Sequence, residues 1–249
     1  PLDAAVEYLR ETQLSNIGFE AENLTVAEFK RLEAQIAAPH WRPVVLDGLR
    51  AVKTPDEIEK ISIAAQITDQ AFAKILPLVQ PGVAEQTLAA KLEYEMRCLG
   101  SEHAAFATIV ASGPRSALPH GVASDRRLAT GDLVVFDFGA VVAGYHSDMT
   151  RTVCMGPATE RQRQVYNTVL EAQLAGLAAI RAGASCLAVD GVARTIIASA
   201  GFGDCFGHGL GHSVGLEIHE TPRLSPLAGD VSLAAGMVVT VEPGIYLPE

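Results

Sequence analysis

Three stretches of the chain carry side chains that bind cations or move protons. The first, from Val134 to Thr152, reads VVFDFGAVVAGYHSDMTRT and places Asp137 and Asp148 eleven residues apart. Apolar, β-branched runs broken by Gly139 and Gly144 have the pattern of adjacent antiparallel strands, and a carboxylate on each of two paired strands can converge on one point. Two carboxylates forced together repel, so they require a proton or a cation between them. A pair of solvated turn aspartates would give the same residues. The second stretch, His208-Gly-Leu-Gly-His212, is followed seven residues on by His219. On a helix, histidines four apart would form a zinc-binding face of the HExxH kind. Gly207, Gly209 and Gly211 are poor helix formers, however, and no Glu follows the first histidine. The glycines predict backbone packed closely against a neighbour, with the histidines on a loop or strand. In the third stretch, Val239 to Tyr246, an apolar strand ends in Glu242 at a Pro243-Gly244 turn. A strand simply leaving the core would read alike. His120 and His146 complete a group of five histidines in suggestive places.

Asp137, Asp148, His212 and Glu242 together form a carboxylate-rich set with one imidazole. Such a set suits harder divalent ions, Mn²⁺, Co²⁺ or Fe²⁺, better than a thiolate zinc site does. Three carboxylates over-supply one ion, whereas two ions about 3.5 Å apart would use them well.

These groups need a scaffold. Thr54 is placed to N-cap a helix, Pro55 to begin it, and Asp56 and Glu57 to face its positive end. Helical spacing continues through Ile58, Ile61, Ala65, Ile67, Phe72, Ile75 and Leu76 to about Val79, and Pro81-Gly82 stops it. A second helix runs from about Ala84 to Leu99 and stops at Gly100. The same order recurs, with a helix from about Thr159 to Ala182 stopping at Gly183 and a shorter one to Ala200 stopping at Gly201. The stop glycines are spaced alike in both copies, and at the same offset Leu76 matches Leu177, Val79 matches Ile180 and Val83 matches Ala184. This predicts a helix–helix–strand unit used twice. Strands are expected at 105–110, 133–138, 141–146 and 150–155 after the first pair, and at 214–218 and 237–241 after the second. Helices on one face of a mostly antiparallel sheet make an α+β fold.

Residues 1–50 read as the end of a smaller α/β unit. Helices are expected at Val6–Glu11 and from a Thr25/Glu28 capping box through Gln35, and strands at 16–20 and 44–46. Four such elements are few for an independent core. The chain opens at Pro1 without a Met, so further chain is expected upstream.

Composition narrows the function classes. A net charge of −10 and a pI near 5.2 argue against nucleic-acid or anionic-membrane partners, which are bound through positive fields. They suit a site that collects cations. Hydrophobic content of 49% and mean hydropathy of +0.22 fit a compact protein, and no run approaches the length of a membrane-spanning helix. Cys98, Cys154, Cys186 and Cys205 have no CxxC spacing, which points to a reduced, cytoplasmic setting. Cys98 and Cys186 sit in helical patterns and are expected in the core.

The motifs VFDFG, HSDMTRT, GHGLGH with the outlying His219, and VEPGIY, in that order, resemble the pita-bread-fold metallopeptidases, within them the prolidase and aminopeptidase P branch of Xaa-Pro peptidases. The resemblance covers residues 51–249 as the catalytic domain and implies that 1–50 are the C-terminal remnant of the N-terminal domain this branch carries. It implies Asp137 as a bidentate ligand of one metal, Asp148 as a bridge, His212 as a ligand of the other metal, and Glu242 as a ligand that shuttles a proton. His120 matches a substrate-side histidine, His208 and His219 a pair that shapes the substrate pocket and steadies the tetrahedral intermediate, and Tyr246 a tyrosine near the metals. No role carries over to His146. The family has a fifth, bridging Glu about fifteen residues after Glu242, in a further strand. Glu249 is too close to be that ligand, so the last strand is expected beyond this sequence, and inactivity for want of the fifth ligand is an expectation for the chain without it.

The implied reaction is hydrolysis of the bond before proline in short peptides, by a water that two divalent ions activate to a bridging hydroxide. Mn²⁺ or Co²⁺ come first, with Zn²⁺ or Fe²⁺ also fitting, and family likeness suggests a homodimer. The alternatives are a creatinase-like metal-free hydrolase, which lacks these carboxylates, a non-catalytic peptidase-like binding module, and a methionine aminopeptidase-like enzyme. The upstream unit and the His219-Glu220 context favour the proline branch.

Overall fold

A computed structural model describes residues 2–12, 14–36, 40–229 and 231–247. Pro248 and Glu249, and with them the sequence argument about Glu249, lie outside the described residues. The chain divides into two compact units, 1–50 and 51–249.

In the first unit, helix α1 (Leu2–Thr12) is followed by strand β1 (Asn16–Phe19), helix α2 (Val26–Gln35) and strand β2 (His40–Pro43). β1 and β2 are parallel, so α2 is the crossover that a parallel pair requires. The Thr25/Glu28 capping box forms. Val6, Leu32 and Ile36 make a small core of their own, and Phe19, Phe29 and Trp41 stack beside one another. The second strand lies at 40–43, not at 44–46, because His40 to Pro43 pair with β1 residue for residue. A short helix α3 (Asp47–Ala51) follows.

The second unit opens with helices α4 (Pro55–Ile75) and α5 (Glu85–Cys98). Thr54 caps α4 in a capping box with Glu57, and a 3-10 turn at Leu76–Leu78 finishes it. Strands β3 (Ile109–Ser112), β4 (Leu133–Phe138) and β7 (Met149–Cys154) form an antiparallel sheet in the order β3-β4-β7. Between β4 and β7 the expected strand at 141–146 is split into a hairpin, β5 (Val141–Val142) and β6 (Tyr145–His146). Its two-residue turn, Ala143-Gly144, has positive φ at both positions, which matches the twist of the flanking strands. The strand expected at 105–110 is displaced to 109–112, where Ile109 to Ser112 pair with Asp137 to Val134 of β4.

Helices α6 (Glu160–Ala179) and α7 (Cys186–Ser199) repeat the α4/α5 pair. Gly82, Gly100, Gly183 and Gly201 all have positive φ, as helix-stopping glycines do. The residue before each second helix forms an isolated antiparallel bridge, Ala84 with Arg127 and Ser185 with Ser232. The duplicated, α+β reading is thus what the chain adopts. Strand β8 is Gly211–Ser213 and its antiparallel partner β9 is Glu220–Leu224. The strand expected at 214–218 is absent. Those residues bend between β8 and β9, with Gly215 N–H turned back on the Glu217 carbonyl. Among the described residues, 237–241 run extended and join β8 through a Ser213–Val239 bridge and the Thr240 N–H bond to the His212 carbonyl. Cys98 is exposed, contrary to the core reading, while Cys186 is buried. No helix among the described residues is long and apolar enough to cross a membrane.

Alternation along β4 positions the chemistry. Val134, Phe136 and Phe138 are fully buried against the first helix pair, with Phe72 of α4 beside both phenylalanines. The intervening Leu133, Val135 and Asp137 therefore line the opposite face, an open cleft of about 1070 Å³.

A second carboxylate, Glu85, is fully buried at the start of α5. It accepts hydrogen bonds from the backbone and hydroxyl of Ser112 (2.8 and 2.7 Å), the backbone and hydroxyl of Ser124 (3.0 and 2.6 Å) and Arg115 Nε (3.1 Å). Burial pushes its pKa up, but the bonds from Ser124 and Ser112 outweigh burial and hold it below 4.5. Its stabilisation is therefore present above pH 4.5 and lost as pH falls through the depressed folded value. Glu85→Ala should cost about 3–5 kcal/mol in urea unfolding, because it strands Arg115 and four other donors. A loss below about 1 kcal/mol would mean that Glu85 does not hold the 112–124 segment in place.

Candidate metal centre

Asp148 directly precedes β7, and its neighbour Met149 pairs with Phe138 of β4. The antiparallel ladder thereby brings Asp148 beside Asp137 in space. Gly139 makes the approach possible, since a Cβ there would lie 2.0 Å from the Ser147 carbonyl oxygen. His212 lies on β8. A Cβ at the preceding Gly211 would lie 2.1 Å from the Thr240 carbonyl oxygen, so glycine lets β8 press against the 237–247 segment that carries Glu242. This is the close backbone approach that the glycines predicted.

Ligand atoms of Asp148, His212 and Glu242 all lie within 4.8 Å of one another. His212 Nε2 is 3.4 Å from Asp148 Oδ2 and 3.2 Å from Glu242 Oε1. Its Nδ1 is 3.1 Å from the Ser213 carbonyl, which fixes Nδ1 as the donor and turns Nε2 toward the carboxylates. Asp137 stands outside this tightest group but next to it, accepting a long 3.4 Å bond from Thr150.

The electrostatics follow from crowding. Burial, then the charges of Asp148 and Glu242, push Asp137 up to about 7. Burial also raises Asp148, with Glu242 adding to it and His212 opposing. Burial works against Glu242 too, but His212 and the Thr240 hydroxyl hold it below the usual range. Burial disfavours the His212 imidazolium, yet its bonds to Asp148 and Glu242 push it up to about 10. The cluster thus retains positive charge wherever it can, which is the condition a divalent cation satisfies. Donor type, convergence and uncompensated negative charge all fit divalent metal ions at Asp137, Asp148, His212 and Glu242.

The other expected residues are placed unequally. His208 Nε2 is 2.9 Å from Tyr246 Oη, and its Nδ1 is 2.7 Å from the Gly209 carbonyl. Both residues line the cleft. Burial, then Glu242 and Asp137, push Tyr246 up to about 12, so it remains a donor. His219 sits with its ring 4.4 Å from that of His212, its pKa lowered by burial and by the His212 charge. His120 is exposed, with its neighbours Leu118 and Pro119 in the cleft wall. Among the described residues no hydrogen bond ties its ring to the cluster. His146 turns to the Gly215 carbonyl and the His103 ring.

Sequence reasoning missed the supports. The Thr240 hydroxyl accepts the His212 N–H at 3.0 Å and donates to Glu242 at 2.8 Å, so one side chain orients two ligands. Its place two residues before Glu242 on an extended run puts it on the same face, a signal that was available. Arg194 clamps Asp190 and donates to the Phe206 and His208 carbonyls, fixing the loop of His208. The pair stands four residues apart on α7, a local signal, but nothing local marks the loop it holds.

In the metal-free chain both raised groups act in the same direction. Asp137 contributes stability that is present below pH 3.8 and lost as pH rises through about 7, and His212 stability that is present below 6.5 and lost through about 10. After chelation the melting temperature should fall between pH 6.5 and 10, and His212→Gln should flatten that fall. An unchanged slope in the variant would remove His212 as the bearer of the charge.

Comparison with known proteins identifies the family. The model of metallopeptidase family M24 matches residues 59–249. The chain is 47% identical over 228 residues to the Xaa-Pro dipeptidase of Pyrococcus furiosus, covering 92% of this chain and 62% of that protein. The structure superposes on an Xaa-Pro dipeptidase from Bacillus anthracis with a TM-score of 0.95 at 44% identity, over 99% of this chain and 70% of that one. For an X-Pro aminopeptidase from Thermotoga maritima the TM-score is 0.93 at 40% identity, over 99% and 70%. The curated relatives are longer, and the chain spans between 58% and 67% of the first of them. The α+β architecture is the pita-bread fold of these structural neighbours. With its motifs, ligand cluster and duplicated halves in place, the chain belongs to metallopeptidase family M24.

Proposed function

We propose that the chain is the greater part of a metal-dependent exopeptidase that hydrolyses the bond before proline in short peptides. The observation that carries this reading is the convergence of Asp148, His212 and Glu242 within 4.8 Å, with Asp137 beside them, where Asp137, Asp148 and Glu242 line an open cleft of about 1070 Å³. The dipeptidase and aminopeptidase relatives support the substrate class. Two divalent ions, Mn²⁺ or Co²⁺ in the first place, would supply Lewis acidity and lower the pKa of an attacking water.

The residues divide the remaining work. Asp137 and Asp148 would be the ligands given by the first half of the unit, and His212 and Glu242 those given by the second. As water oxygen adds to the scissile carbonyl carbon, a Glu242 carboxylate oxygen takes the water proton. It returns that proton to the proline nitrogen as the C–N bond breaks. His208, held by Tyr246, and His219, beside His212, face the developing oxyanion and limit the pocket. His120 borders the substrate entrance, a role its cleft-lining neighbours support. A strand beyond residue 249, bearing a fifth bridging carboxylate, belongs to the same proposal, as do residues 1–50 as the end of an N-terminal domain, a homodimer and a cytoplasmic setting. The four free cysteines support that setting.

Proline release from an Xaa-Pro dipeptide and an Xaa-Pro tripeptide, with and without Mn²⁺, tests the reading on this chain and on one extended past 249. Metal-dependent release by the extended chain is expected, and its absence with metal bound would favour a binding module. Asp148→Asn should abolish metal binding and release while the fold survives. His212→Ala should cut the rate by at least about 100-fold, whereas His146→Ala should stay within about threefold of the parent. Equal losses would mean the ligand is misassigned.

A further inference from the structure

We infer that Lys53 is a positioning residue that holds His212 and His219 in their mutual geometry and ties the two duplicated halves together. The inference rests on the proposed function for the histidines' roles, but its geometry stands independently. Lys53 Nζ donates to Ser213 Oγ at 2.7 Å and to Glu220 Oε2 at 2.9 Å. Ser213 follows His212, and Glu220 follows His219. The cation thus bonds the two side chains that directly follow the histidines in the chain. Ser213 and Glu220 are also direct cross-strand partners, at the point where the β8–β9 register is broken next to His212. An irregular ladder holds its strands less firmly than a regular one, and here a buried side chain takes over.

The clamp is a built one. The Lys53 and Glu220 side chains are only 2% and 4% exposed. Glu220 also accepts the Glu217 N–H at 3.2 Å, and a Cβ at Gly215 would lie 2.6 Å from its Oε2. The loop between the histidines is thus wrapped on this carboxylate. Lys53 N–H donates to the Gly236 carbonyl at 2.9 Å, directly before the segment that carries Thr240 and Glu242. Lys53 is also the residue before Thr54, the N-cap of α4, and α4 packs Phe72 beneath the strand of Asp137. One residue therefore relates the ligands of the first half to those of the second. A buried ion pair contributes little net stability, so its worth here is geometric.

The test compares Lys53→Met/Glu220→Gln, which removes both charges of the pair, with Lys53→Met and the parent chain. The readouts are melting temperature, Mn²⁺ dissociation constant, histidine ring ¹⁵N shifts, and kcat and KM for proline release by the chain extended past 249. We expect the double variant to melt within about 5 °C of the parent. Its Mn²⁺ affinity should fall by about 10–100-fold, with the His212 and His219 ring signals displaced and those of His40 and His103 unmoved. Its kcat should fall by about tenfold or more at nearly constant KM. A folded double variant with parental Mn²⁺ affinity and parental His212 and His219 signals would overturn the inference. If the parent releases no proline, the proposed function fails, while the ring signals and metal affinity still decide the role of Lys53.

Discussion

Everything in the catalytic unit answers to one electrostatic constraint, the gathering of Asp137, Asp148 and Glu242 in a cleft that removes them from water. Like charges at such range cannot all stay ionised without a counter-charge, and burial sharpens the demand. The set pushes Asp137 up to about 7 and draws a proton onto His212 up to about 10. A chain free to relax would move the carboxylates apart. That it does not measures how firmly the surrounding elements hold them.

The holding is done by two copies of one device. In each half a long helix and a shorter one, each ended by a positive-φ glycine, back the elements that carry two ligands. In the first half the buried phenylalanines of β4 fix which face Asp137 occupies. In the second half Gly211 and Thr240 hold His212 against the Glu242 segment. A buried acid on the shorter helix of each half, Glu85 and Asp190, takes backbone N–H bonds from the chain that follows, and each is paired with an arginine. The 112–124 and 206–210 segments are thus pinned by polar networks, and β4 by apolar packing.

Local patterns in the sequence revealed what local chemistry determines. The helix starts at Thr25, Thr54 and Thr159, the stop glycines, the strand at 133–138 and the gathering of Asp148, His212 and Glu242 were all legible, because capping, left-handed glycines and two-residue alternation act over a few residues. What failed depended on distant partners. The strand expected at 214–218 reads as apolar, but Gly215 and Glu217 close a turn around Glu220, whose cation comes from Lys53, 167 residues away. Residues 44–46 are as β-prone as any strand, yet 40–43 take the pairing. Cys98 fits the helical period and still faces solvent, since α5 is buried through Leu88, Leu92 and Met96. The Asp190–Arg194 pair is a contact four residues apart on α7, but its hold on the Phe206, His208 and Leu210 backbone exists only once that distant loop meets the helix.

The imidazole of His212, lodged between two carboxylates, also makes the metal-free centre a loaded one. Its proton occupies the electrostatic niche that a divalent ion would take, and Asp137 holds another. Filling the site is therefore an exchange, metal in and protons out, and not the occupation of a void. Apparent affinity for a divalent ion would then rise with pH as those protons leave.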